Sequence, residues 1–102
     1  MCGIAGVLGK DLSVDEIKKC QDNLKKRGPD NKGFYKKKNI TLIHTRLSIL
    51  DLSPYGNQPI IDKNSGTVLI YNGEIYNFKE LQKLIDPNEK ATNDSRVILN
   101  LY

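Results

Sequence analysis

The chain reads as an α+β domain, and three stretches carry that reading. Ile4-Ala5 and Val7-Leu8 make a short apolar run broken by Gly6, as a buried strand does. Ser13-Val14-Asp15-Glu16 is a capping box, with a serine cap and a glutamate at the third helical position. Thr67-Val68-Leu69-Ile70-Tyr71 is β-branched and aromatic and predicts the clearest strand of the chain.

The remaining elements follow in order. After the serine cap, Val14, Ile17, Cys20, Gln21 and Leu24 recur at helical spacing among lysines, which places Cys20 on a core face. Arg27-Gly28-Pro29-Asp30 ends that helix, with glycine as the C-terminal cap and proline as the stop. Gly33–Tyr35 and Asn39–His44 read as strands around a solvated lysine turn, Lys36-Lys37-Lys38. His44, the single histidine, ends an apolar strand and has no neighbouring acid or metal ligand, so a packed role is expected. Arg46 to Ser53 alternates polar and apolar residues before the loop residues Pro54, Tyr55, Gly56 and Asn57. Ile60-Ile61 is a short apolar patch, and Asn64-Ser65-Gly66 is a turn. Asn77 and Glu80 form a second capping box for a helix whose apolar face is Phe78, Leu81, Leu84 and Ile85. Thr92-Asn93-Asp94-Ser95 caps a third helix carrying Val97, Ile98, Leu101 and Tyr102.

Composition excludes several classes. With 102 residues there is room for one domain at most. The net charge of +4 owes much to the lysine run, and no aromatic-rich basic face accompanies it, so no nucleic-acid partner is expected. No apolar stretch is long enough to span a membrane, and no membrane partner is expected. Lys10 and Asp11 interrupt the first apolar run, unlike a signal peptide. The two cysteines suit neither a disulfide framework nor a zinc site. The expectation is a cytoplasmic protein, with no metal, in a compartment where a free thiol survives.

Cys2 invites a chemical reading. Met1 precedes a small residue, the usual setting for removal of an initiator methionine, and removal would make Cys2 the first residue. Thiols titrate at about 8.5 and α-amines at about 7.7–8.0, so the amine of such a residue can take the proton that its own thiol must lose. The bland alternative is a small apolar cysteine that packs.

Six stretches then occur together: Met1-Cys2-Gly3-Ile4-Ala5-Gly6, Arg27-Gly28-Pro29-Asp30, Arg46-Leu47-Ser48-Ile49, Asp51-Leu52-Ser53, Gln58-Pro59 and Tyr71-Asn72-Gly73-Glu74-Ile75-Tyr76-Asn77. In this order they resemble the class II glutamine amidotransferases, and within them the glutaminase domain of glutamine-hydrolysing asparagine synthetases. The resemblance implies an N-terminal-nucleophile hydrolase fold, with antiparallel sheets packed between helices. It implies glutamine hydrolysis to glutamate and ammonia, with residues 1–102 as the N-terminal portion of the glutaminase domain. Cys2 would be the nucleophile, and the Asn72 amide with the Gly73 N–H would form the oxyanion hole. Arg46 would grip the substrate α-carboxylate. Glu74 and Asp94 would receive the α-ammonium group, and main-chain groups around Leu50 would complete the pocket. Taken one at a time, Arg46 could instead be an ion-pair partner, Asn72-Gly73 a turn and Asp94 a helix cap.

The resemblance has limits. Relatives usually carry an acid where Arg96 stands, and the stretch from Pro87 to Lys90 looks shortened. The third helix has no stop signal, so the expectation is the N-terminal piece of a longer protein. No serine- and glycine-rich pyrophosphate loop is found, so no cofactor is expected in this chain. ATP and magnesium are implied only for a synthetase domain or subunit that would receive the ammonia. Two rivals to a glutaminase remain: another N-terminal-cysteine amidase, and a non-catalytic remnant that binds glutamine or a partner.

Overall fold

The structure, a computed structural model, describes residues 1–102. Strand β1 is Gly3–Leu8, helix α1 Val14–Leu24, β2 Asn31–Lys37 and β3 Ile40–Arg46. A 3-10 turn at Pro54–Gly56 precedes β4, Ile60–Ile61, and β5, Val68–Leu69; helices α2, Phe78–Ile85, and α3, Asp94–Leu101, follow. β3 lies at the centre of a three-stranded antiparallel sheet, and β4 pairs antiparallel with β5 in a second, two-stranded sheet. The class is α+β with antiparallel sheets and three helices, as expected.

Facing residues of an antiparallel pair share a side of the sheet. Ala5 and Val7 therefore stand beside Ile43 and Thr41, and this side meets α1. Leu12, Ile17 and Ile43 form the buried centre, with Cys20 and Leu24 packed against it. Ile4 and Leu8 point to the other side and are 45% and 76% exposed, so β1 is buried on one side only. Apolar residues on both sides of the strand hide this alternation in the sequence. The capping box of α1 is formed in full: the Ser13 hydroxyl accepts from the Glu16 N–H and the Glu16 carboxylate accepts from the Ser13 N–H. Lys10 Nζ lies 2.7 Å from the same carboxylate, and these bonds hold the Glu16 pKa down at about 2.

Other elements differ from the sequence reading. Helix α1 stops at Leu24 with Lys25 as its cap, and Gly28 has another use. A Cβ on Gly28 would lie 2.3 Å from the Thr45 carbonyl, so the absence of a side chain lets this loop lie against β3. Lys36 belongs to β2 rather than to a solvated turn; its Nζ is 2.6 Å from an Asp11 carboxylate oxygen and donates to the Leu12 carbonyl. Only Val68 and Leu69 of the expected strand are paired. Tyr71 leaves the ladder because side chains take both of its main-chain polar groups: Gln58 Oε1 accepts its N–H and His44 Nε2 donates to its carbonyl. The second capping box does not form, because Asn77 is not extended and its side chain bonds no amide. In α2 Leu84 is 81% exposed, whereas Gln82 is buried and donates to Glu89. In α3 the Asn93 side chain caps Arg96 N–H and Val97 is buried. No helix is long and apolar enough to cross a membrane.

Candidate functional site

A cavity of about 390 Å³ opens where the start of β1 and the end of β3 meet the segment after β5 and the start of α3. Cys2, Arg46, Leu50, Asn72, Gly73, Glu74 and Asp94 all stand on its wall. The register explains the meeting of the first two, because pairing of Gly3 with Thr45 brings the residues beyond them together.

The thiol of Cys2 is held by main chain. Leu47 N–H donates to Sγ at 3.4 Å, and Sγ lies 3.8 Å from the Leu47 carbonyl. Arg27 Nε donates to the Cys2 carbonyl at 3.2 Å, which fixes the other side of the residue. Met1 also lines the cavity.

Arg46 is buried, 6% exposed, and makes no ion pair. Its Nη1 donates to the Ser53 carbonyl at 2.7 Å and to Asn57 Oδ1 at 2.8 Å, and its Nη2 donates to the Asp51 carbonyl. A guanidinium has five N–H groups. Two remain without a partner in the protein: the Nε–H and one on Nη2. Gly56 leaves the room for this group, since a Cβ there would lie 2.1 Å from Nη2. Arg46 therefore organises the 51–57 loop and, on the cavity wall, keeps two donors unpaired.

The segment after β5 carries Asn72, Gly73 and Glu74 past the Tyr71 ring. A Cβ on Gly73 would lie 2.6 Å from the Tyr71 hydroxyl, so glycine permits this approach. Burial raises the pKa of Tyr71, and the negative charges of Asp94 and Glu74 raise it further. Its hydroxyl is a proton donor at neutral pH. His44, fully buried, donates from Nε2 to the Tyr71 carbonyl at 3.3 Å, and Nδ1 has no partner. Burial lowers the His44 pKa, and the Arg46 charge adds to this. The ring is a packed, neutral hydrogen-bonding group, as the sequence suggested.

Asp94, 6% exposed, is the first residue of α3 and accepts the Ile75 N–H at 2.9 Å. The cap of that helix is Asn93, whose Nδ2 donates to Asp51 at 3.2 Å. Two bonds from Ser53 hold the Asp51 carboxyl below its usual range, the hydroxyl contributing most. Arg96 has its own function: its Nε donates to the Tyr55 carbonyl at 3.2 Å and its guanidinium lies over the Tyr55 ring, tying α3 to the 3-10 turn.

Sequence reasoning missed the Leu47 main chain, the Tyr71 hydroxyl, Asn93 and Ser95, and attached no role to Gln58 within its Gln-Pro pair. All of these line the cavity. The Leu47 main chain, Gln58, Asn93 and Ser95 are held there by tertiary hydrogen bonds that leave no local pattern.

Comparison with known proteins identifies a family. The sequence profile described as a glutamine amidotransferase domain matches residues 1–102. A Methanocaldococcus jannaschii protein provisionally named asparagine synthetase (glutamine-hydrolyzing) 2 is 38% identical over 122 residues, covering 100% of this chain and 24% of its own length. Asparagine synthetase (glutamine-hydrolyzing) 2 of Bacillus subtilis is 35% identical, covering 100% of this chain and 14% of its own length. Asparagine synthetase (glutamine-hydrolyzing) 1 of Arabidopsis thaliana is 37% identical, with 100% of this chain and 18% of its own length covered. The chain thus spans less than a quarter of the length of these relatives and matches their N-terminal part. It belongs to the glutamine amidotransferase domain family.

Proposed function

We propose that the chain hydrolyses glutamine to glutamate and ammonia with Cys2 as the nucleophile, and that the ammonia passes to an ATP-dependent asparagine-forming synthetase part. One observation carries the first half. Two buried charges of opposite sign, Arg46 and Asp94, stand on one cavity wall with a thiol, and neither is ion-paired within the protein. Unpaired buried charges are costly. A free α-amino acid carries the complementary pair: its carboxylate fits the two spare Arg46 donors and its ammonium fits Asp94 and Glu74. The cavity volume is in the range of small-molecule sites, about 300–1,000 Å³.

The chemistry follows from that pose. After loss of Met1, the Cys2 amine takes the thiol proton and Sγ attacks the side-chain carbonyl carbon of glutamine. The resulting oxyanion is received by the Asn72 amide and the Gly73 N–H. Collapse breaks the C–N bond, and the amine returns the proton to the leaving ammonia. Water then attacks the thioester, giving glutamate and restoring the thiol. The second half of the proposal is supported by the relatives, which are named as asparagine synthetases.

The test is ammonia release from glutamine by the protein and by Cys2→Ala. Turnover by the former and none by the latter is expected; ammonia release by the alanine variant at the parent rate contradicts the proposal.

A further inference from the structure

Gln58 is buried, 6% exposed, and both ends of its side-chain amide are engaged. Oε1 accepts the Tyr71 N–H at 2.5 Å, and Nε2 donates to Ser95 Oγ at 3.0 Å. Tyr71 immediately precedes Asn72-Gly73, and Ser95 immediately follows Asp94. One amide group therefore joins the segment carrying the proposed oxyanion donors to the helix carrying Asp94, the proposed partner of the α-amine. The main chain of Gln58 is fixed in turn: a Cβ on Gly33 would lie 2.3 Å from its carbonyl oxygen, so β2 is packed directly against it. On the far side of Tyr71, His44 holds the carbonyl at 3.3 Å.

We infer that Gln58 is a positioning residue that sets the distance between the oxyanion donors and Asp94, and so selects an amino acid of glutamine length over one a methylene shorter. This rests on the glutaminase reading above. A site discriminates a missing methylene only if the groups at its two ends are held at fixed separation. Gln58 adds that constraint to the direct Ile75 N–H to Asp94 bond, because its amide is rigid, its bond to Ser95 is buried and that from Tyr71 partly so, and its backbone is pinned to the sheet. Its role is exerted through Tyr71 and Ser95, not through contact with the reacting atoms.

Ser95→Ala removes one end of the link while leaving Gln58 and the sheet in place, and Ser95→Thr keeps the hydroxyl. Gln58→Ala removes both ends. The measurement is kcat/KM for ammonia release from glutamine and from asparagine, on variants whose thermal unfolding is cooperative. The expected result is a glutamine-to-asparagine preference reduced about tenfold or more in Ser95→Ala, on the scale that one methylene carries, and restored in Ser95→Thr. Folded Gln58→Ala loses at least as much. A general loss of packing would lower both rates together and leave their ratio alone. An unchanged ratio in Ser95→Ala, with the parent active on glutamine, overturns this inference alone. A parent protein inactive on glutamine overturns the glutaminase reading, and this inference with it.

Discussion

Leu47 and Cys2 face each other across the junction of β1 and β3, with the Leu47 N–H aimed at Sγ from 3.4 Å. The proposed nucleophile is thus fixed by main chain at the end of a paired strand. Its position follows from the sheet register, not from a mobile loop. The same register sets Arg46 beside it.

Arg46→Lys should raise KM for glutamine about a hundredfold while changing kcat by less than about tenfold, because a lysine ammonium keeps the charge but loses the planar fork. Lysine also cannot serve Ser53, Asn57 and Asp51 together, so the midpoint of thermal unfolding should fall. Steady-state kinetics check the first effect and a melting curve the second. An unchanged KM would remove Arg46 from the substrate site.

Asn72→Ala should behave in the opposite way. The oxyanion exists only after attack, so loss of its donor should lower kcat about 10²–10³-fold with a small change in KM. Turnover within a few-fold of the parent would make Asn72 a turn residue only.

Gly56→Ala should cost about 1–3 kcal/mol of stability, the usual range for overpacking, because the new methyl would lie 2.1 Å from Arg46 Nη2. It should also weaken glutamine binding by displacing the guanidinium. Gly6→Ala is the control: its methyl would meet only Leu42, at an ordinary 3.5 Å. Urea unfolding of both variants checks the contrast, and equal stability would contradict the tight packing of Gly56 on Arg46.

His44 gives a pH dependence of known sign. Its folded pKa is below the ordinary 6.5, chiefly through burial. The unfolded state therefore binds a proton first as pH falls. The associated stability is complete above pH 6.5 and declines as pH drops from there toward the folded pKa. His44→Gln keeps an N–H donor for the Tyr71 carbonyl and removes the titration, so it should flatten this part of the profile. The carboxylates Glu16, Asp51 and Asp62 also have lowered pKa values, but from starting values of 4.5, 3.8 and 3.8, so their losses fall at lower pH. Denaturant unfolding from pH 7.5 downward checks this. An identical slope in His44→Gln would assign the dependence elsewhere.

The parts of this structure legible in the sequence are those set by short-range patterns. The Ser13–Glu16 box, the α1 face and the Asn93 cap each follow from residues a few positions apart. The Asn77–Glu80 pair has the same letters as a box, yet Asn77 adopts a conformation that withholds its side chain. Leu84 fits a helical stripe, but the fold leaves it exposed. For the site, joint motifs were enough to single out residues that share one cavity wall. They gave no hint of how those residues are held. Gln58 reaches partners 13 and 37 positions away, and the donor to Cys2 is a backbone amide 45 positions distant. A main-chain N–H has no residue type to betray it, and a buried amide reads as any polar loop residue.

The central claim is that the free amine of Cys2 is the base for its own thiol. Retaining Met1 turns that amine into a peptide amide, which is no base near neutral pH, and Met1 then stands on the cavity wall itself. Ammonia release from glutamine should be measured on processed and Met1-retaining protein, with the N-terminal mass determined on the same samples and folding checked by melting. The account predicts turnover only from the processed form. Equal rates from both forms would contradict the N-terminal-nucleophile mechanism.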